Sequence, residues 1–499
     1  MSMKSPSNDL FDLIRSLTKT EKRYYRLHAL RYLPGQNHYT KLFSLIEKQA
    51  IYNEKELSQQ FSTNKSAAHF AVIKKQLYEN ILEALHRYDE FSQPEQKVRK
   101  GIHYCSLLLK KGLFSQCKKQ IIKYKLLAYR LEKFEFVIEL IEIEKRMIGK
   151  QQFTSVSFRQ LEQLQEEQNI CLHQLQISGD YWIKSNRIFK MHYEKKIAPG
   201  KINTDLDELI AKKQFKHFEE ATNFKSKLDF LQINALHAFV SNDVLKAYTL
   251  NTKFLSLLDE HEHLKILHTD RYFSVLNNYL IDSLLLKKHS ELKKGIEVLR
   301  SLPGKPEFRH IHNLEANVFR QSYLLELNYY VSSDNYSEAM EIINPVKQGL
   351  KKYGEKIAKP NIVTFRYLLA YILFCNGDYK NCLDETLWIL KSKEAEKITD
   401  IYRDTRMLQL LCHFELGDYL LVESLITSIQ RSFIAEKIKF ETYKELLRYI
   451  KQSVQKINKP NLNALRGKLT ELNENSNEKT VFNNLNYLWW ANHLTKQLK

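Results

Sequence analysis

The chain has 499 residues, of which 43% are hydrophobic and 27% charged, a balance that supports a buried core and excludes disorder by composition. Its 13 glycines and 9 prolines fall well below the roughly 7% and 5% usual in globular proteins, which argues against sheet-and-turn folds and for an all-α chain. The net charge of +19 admits nucleic acid, anionic membrane or acidic partners, but no block of five or six like charges concentrates it, and a solvated lysine-rich surface accounts for it more simply.

Residues 1–13 lack the apolar core of a signal peptide. No apolar run of about 18 residues predicts a membrane-spanning helix. The six cysteines, Cys105, Cys117, Cys171, Cys375, Cys382 and Cys412, include no Cys-x-x-Cys pair and sit mostly in apolar helical stripes. Reduced, buried thiols of this kind predict a cytoplasmic protein.

The first ninety residues read as a helical module. Leu10, Leu13, Ile14 and Leu17 form a short stripe. Thr18-Lys19-Thr20-Glu21 is a capping box opening a helix rich in cations and aromatics, and a third helix is expected over 38–49. A short helix over 53–61, a turn at Ser62-Thr63-Asn64 and a long helix over 65–88 follow the outline of a DNA-binding helix-turn-helix. In that alternative, Lys65, His69, Lys74 and Lys75 would face the duplex, with Arg23 and Arg26 on phosphates. The first 100 residues carry 17 Lys and Arg against 11 Asp and Glu. The turn lacks glycine, however, and the long helix lacks a cluster of base-reading side chains.

Beyond residue 96 a different punctuation appears. Between 150 and 240 the pattern breaks into stripes at Phe158-Leu161-Leu164, Leu172-Leu175 and Trp182-Ile188-Phe189, with a hinge expected over 198–204. Asn376-Gly377-Asp378-Tyr379 and Leu416-Gly417-Asp418-Tyr419 then stand 40 residues apart, each between two apolar helical patterns. Ser333-Asp334-Asn335-Tyr336 matches them. Weaker copies lie at Gly112–Cys117, at Asn242–Ala247 and at 289–295, with Leu292 in the aromatic slot. Key positions 244, 292, 336, 379 and 419 are separated by 48, 44, 43 and 40 residues. A small residue lets the first helix end, the aromatic starts the second, and a small residue one turn later allows close approach. Pro345 is expected to kink or shorten its helix. An Asn-rich stretch over 458–477 precedes a last helix from about Glu478, with Phe482, Leu485 and Trp489 on one face, read as the cap that an array end needs.

The recurring turn with its small residue three positions after the aromatic resembles the tetratricopeptide repeat, clearly over 320–450 and more weakly over 225–320 and 96–150. The unit is longer than the family's usual ~34 residues. The resemblance implies a right-handed α-solenoid of antiparallel helix pairs that binds another protein or a peptide. The string from Leu10 to Tyr25 is similar to the opening of bacterial proteins that carry tetratricopeptide-like regions, and it implies no activity. The expected organisation is a helical module over 1–93, degenerate repeats over 94–198, repeats over 199–456 and capping helices over 457–499.

Little in the chain points to chemistry. His261, His263 and His268 miss the His-Glu-x-x-His spacing, since Lys265 stands at the fourth position, and Arg309-His310-Ile311-His312 is no stronger. Phosphate-cradling glycine loops and a nucleophile elbow are absent. Glu142/Glu144 and Asp259/Glu260 sit beside lysines, as solvated helix faces do. No catalytic, cofactor-binding or metal-binding residue is therefore expected. The candidates for recognition are aromatic: Tyr329, Tyr330, Tyr367, Tyr371 and Trp388 would line a concave groove able to hold a peptide or an amphipathic helix. The expected function is a non-enzymatic protein-interaction scaffold; the alternative is a transcriptional regulator with an N-terminal DNA-binding module and a repeat sensor.

Overall fold

The computed structural model describes residues 8–32, 37–61, 67–89, 94–154, 156–193, 208, 211, 217–396, 398–436, 438–455, 461–475, 478, 481–482 and 485–497. Among these the regular structure is helical throughout, with no strand, and no helix is long and apolar enough to cross a membrane. The chain forms two compact units, Met1–Lys184 with Glu219–Lys227, and Ser185–Phe218 with Leu228–Lys499.

One turn is used seven times among the described residues. Gly112, Glu132, Asn242, Lys287, Asp334, Gly377 and Gly417 all have φ between 50° and 79°. Two residues after each, a helix begins, at Phe114, Phe134, Val244, His289, Tyr336, Tyr379 and Tyr419. The hydrogen bonds repeat as well. Gly377 N donates to Phe374 O and Asp378 N to Leu373 O, and the same pair of bonds closes every one of the seven. This is the Schellman arrangement, which satisfies the last carbonyls of the outgoing helix without any side chain. Where an aspartate follows, it can also cap the incoming helix, as Asp243 does for Lys246 N at 3.0 Å and Asp378 for Asn381 N at 3.3 Å.

Three positions into each incoming helix stands a buried side chain: Cys117, Val137, Ala247, Leu292, Ala339, Cys382 and Val422, none more than 1% exposed. Two expectations change as a result. His289, not Leu292, opens its helix, so Leu292 fills the buried slot and the spacings from 244 become 45, 47, 43 and 40 residues. The turn at Glu132, with no glycine to mark it, is a further copy. From helix Thr269–Leu285 onward, the long helices of the second unit pack on the next and often on the next but one. Helix Lys359–Cys375 is the extreme case. It is buried at Val363, Phe365 and every residue from Tyr367 to Phe374, the pattern of a helix enclosed on all sides.

Close approach is set by residue size where helices touch. A Cβ on Gly349, near the end of helix Tyr336–Tyr353, would lie 1.9 Å from the Phe319 ring. That helix runs unbroken through Pro345, so the proline costs a hydrogen bond without shortening the helix. The stripes expected as separate helices between 158 and 189 are one helix, Phe158–Tyr193. The hinge over 198–204 lies outside the described residues.

The N-terminal module is a bundle of helices Asp9–Ser16, Lys19–Tyr32, Asn37–Lys48, Glu54–Phe61 and Ala67–Asp89 around Ile14, Tyr25, Leu42, Phe43, Leu77 and Ile81. The capping box forms as expected: Glu21 N donates to Thr18 Oγ1 at 3.2 Å and Thr18 N to Glu21 Oε2 at 2.6 Å. At the other end of the chain, the Asn-rich stretch contains helix Leu462–Glu474, capped by Asn461, and the last helix is Tyr487–Gln497. Glu478 precedes that helix and receives Glu441 N, Thr442 N and the Thr442 hydroxyl, anchoring the start of helix Glu441–Gln455.

Candidate functional site

The five aromatic candidates separate by burial. Tyr367 and Tyr371 are only 4% and 2% exposed, because helix Lys359–Cys375 is enclosed, and burial pushes both phenols above their ordinary range. They do not line an open groove. Tyr329 and Tyr330 are half-buried and packed against each other, with Tyr329 also edge-on to His289 and 5.2 Å from the Lys293 ammonium. Trp388 is partly exposed. Arg366 lies 4.2 Å from its ring centroid and donates to the buried Glu385 at 2.6 Å, while Lys347 pairs with the other Glu385 oxygen at 3.3 Å. The indole is thereby presented by a held guanidinium.

What covers Tyr371 is the chain's own C-terminal segment. Asn486 N donates to the Tyr371 hydroxyl at 2.9 Å, and the Trp489 ring meets Tyr336 edge-on at 5.1 Å. Trp490 Nε1 donates to Glu415 at 2.7 Å, and Tyr487 packs edge-on to Tyr443. The segment expected to cap the last helix therefore reaches helices that begin at Tyr336, Lys359, Thr399 and Glu441.

The open apolar surface of the second unit lies elsewhere. Between 228 and 450, its large exposed hydrophobics sit on the helices that follow the turns: Leu245, Val298, Met340, Leu387, Trp388 and the run Tyr419-Leu420-Leu421 with Ile434. Among the described residues, the helices that precede the turns contribute only Leu285 and Leu416, each in a last position. Leu420 is 90% exposed and Ile434 78%, on the same helix, Tyr419–Ala435. Sequence reasoning ranked aromatics and missed this leucine run, although Leu420-Leu421 directly follows the turn that marks the repeat.

The cations of the helix-turn-helix alternative are largely engaged. Arg26 hydrogen-bonds Glu47, and Lys22 lies 3.4 Å from the same carboxylate. Lys74 is half-buried, 2.7 Å from Glu54 and 3.4 Å from the Tyr52 hydroxyl. Lys75 is exposed with Glu79 at 3.8 Å, and Arg23 is exposed. Lys65, the turn 62–66 and the side chain of His69 lie outside the described residues.

Two of the histidines and two of the carboxylates make local contacts. His261 Nδ1 meets Leu257 O at 3.0 Å, and His310 Nε2 meets the Thr269 hydroxyl at 3.1 Å. Glu144 pairs with Lys125 and Asp259 with Lys265. The six thiols are free. Cys382 and Cys412 are 3.2 Å apart, fully buried; burial pushes the Cys382 thiol well up, away from thiolate chemistry. No family model, no curated protein and no solved structure matches the chain.

Proposed function

We propose that this protein is a non-enzymatic interaction scaffold, a right-handed α-solenoid of antiparallel, tetratricopeptide-like helix pairs that docks another protein. The observation that carries the reading is the sevenfold turn with its buried residue one helical turn later. A motif that repeats the backbone and the packing slot at intervals of 40 to 47 residues in the second unit builds a surface by stacking rather than a pocket by convergence.

The partner is expected on the helices after the turns, with Trp388, Leu420, Leu421 and Ile434 as apolar anchors. This differs from the groove that the family resemblance implies, because Tyr367 and Tyr371, expected there, are enclosed or covered. A partner helix or loop with an apolar stripe fits such a row. The alternative, a duplex-binding N-terminal module, is weakened by the pairing of Arg26 and Lys74 with Glu47 and Glu54.

Site-specific photo-crosslinking in the native cell tests the reading. A crosslinker at position 420 or 388 should capture a discrete protein, whereas one at the exposed control position Lys75 should not. Equal capture from all three positions, or none from 420 and 388, would refute the docking surface.

A further inference from the structure

A cavity of about 320 Å³ opens in the second unit beside helix Thr269–Leu285, a volume at the small end of ordinary ligand pockets. Its polar axis follows one helix face. Ser274, Asn278 and Asp282 succeed one another at four-residue intervals; the first two are exposed at the mouth and Asp282 is 2% exposed within. Leu236, Phe239 and Ile281 supply apolar wall.

Asp282 is the unusual group. Its Oδ2 accepts from the Asn251 amide at 2.7 Å, and among the described residues no cation pairs with it. The half-buried cation of the same helix, Arg271, is already committed, donating to Asp229 and to the lining residue Gln232 at 2.7 Å each. Buried carboxylates are normally matched by a positive charge. Here, among the described residues, none stands on the side facing the cavity.

We propose that this cavity binds a small primary ammonium compound with an apolar body, its nitrogen paired with the Asp282 carboxylate. An ammonium brings three donors. One matches Asp282 and a second suits the Asn278 amide oxygen one turn away, while Ser274, about 12 Å further along the same helix from Asp282, stands at the mouth. The hydrocarbon body lies against Leu236, Phe239 and Ile281, which rewards an aryl or branched-alkyl amine over a strongly hydrated one. Burial pushes the Asp282 carboxyl up to about 6, opposed by the Asn251 hydrogen bond, so at neutral pH the group is mostly ionised and ready to take a cation. The partner-docking surface is built from other residues, and either assignment can fail without the other.

The test uses the full chain, with 2-phenylethylammonium as probe and 2-phenylethanol as its neutral counterpart, titrated by calorimetry and by ligand-observed magnetic resonance. The ammonium should bind saturably and the alcohol on the order of tenfold more weakly or worse, the worth of one charge-assisted hydrogen bond. Asp282→Asn, nearly isosteric, should lose that preference, and Ser274→Phe at the mouth should weaken the ammonium without touching the carboxylate. Affinity should also fall on going from about pH 7.5 to about pH 5, as the free carboxyl takes up its proton. Equal binding of amine and alcohol, undiminished binding by either folded variant, or no saturable binding at millimolar probe would overturn the assignment.

Discussion

The N-terminal bundle and the repeat unit end their helices with different atoms. In the bundle, side chains close the junctions. Thr18 and Glu21 exchange bonds across one helix start; Gln49 Oε1 accepts Asn53 N at 3.1 Å, and Asn53 Oδ1 accepts Glu56 N at 3.2 Å. No residue there has positive φ among those described. In the repeat unit the main chain itself closes each turn, through a left-handed residue and two backbone bonds. A junction built from side chains must be specified anew each time. One built from backbone can recur with only one residue position constrained, which is how a repeat can drift in sequence while its geometry persists.

Substitutions can break this comparison, beginning where packing is tightest. Gly349→Val should cost roughly 3 kcal/mol or more by overpacking against Phe319, read as a lowered midpoint in denaturant unfolding. Gly467→Ala, with nothing within 4 Å of its Cβ, should instead raise stability by about 0.5–1 kcal/mol. Equal effects at the two glycines would mean that helix approach is not what the first one sets.

The repeat unit should also show a pH dependence of its own through one buried carboxylate. Burial raises the Asp282 pKa from 3.8 to about 6 on folding, so the folded chain holds this proton more tightly than the unfolded chain. Its contribution to stability therefore declines as pH rises from about 4 to about 6 and is constant above, a cost of at most about 3 kcal/mol. Asp282→Asn should be more stable than wild type by up to that amount at neutral pH, with the gain vanishing near pH 4. A gain independent of pH would contradict the burial account.

Smaller effects separate the two kinds of junction directly. Gly377→Ala forces a Cβ into the left-handed region and should cost about 1 kcal/mol, whereas Lys287→Gly at the equivalent position should gain somewhat less than that. In the bundle, Thr18→Ala removes the hydroxyl that accepts from Glu21 N while keeping the residue-18 N–H on Glu21, and should cost about 1 kcal/mol. Thermal unfolding of the three variants checks these values. A loss on Lys287→Gly would show that its turn is not the same turn.

The comparison also explains what was legible in the chain. Where glycine or aspartate occupies the left-handed position, as at 334, 377 and 417, the turn announces itself. Where lysine or glutamate occupies it, as at 287 and 132, nothing in the residue type does, so the phase at His289 slipped by three and the copy at Phe134 passed unseen. The capping box at Thr18 was readable because its two side chains are themselves the bond. The long helix Phe158–Tyr193 read as fragments because its buried face is sparse, with Trp182 and Ile183 pointing to solvent. The enclosure of Tyr371 was not readable at all: its cover arrives from Asn486, 115 residues away. Asp282 likewise carries no distinguishing signal in the sequence; only the cavity sets it apart from other helical carboxylates.

The central claim is that exposed apolar residues after the repeat turns hold a protein partner. Its most direct measurement is quantitative co-purification of the full chain from its native cell, wild type beside the double variant Leu420→Glu and Leu421→Glu. Both substituted residues are exposed, so the fold should persist, as circular dichroism and the unfolding midpoint would verify. The account predicts a discrete protein that is retained by wild type and lost by the folded variant. Identical sets of co-purifying proteins from the two chains would contradict it.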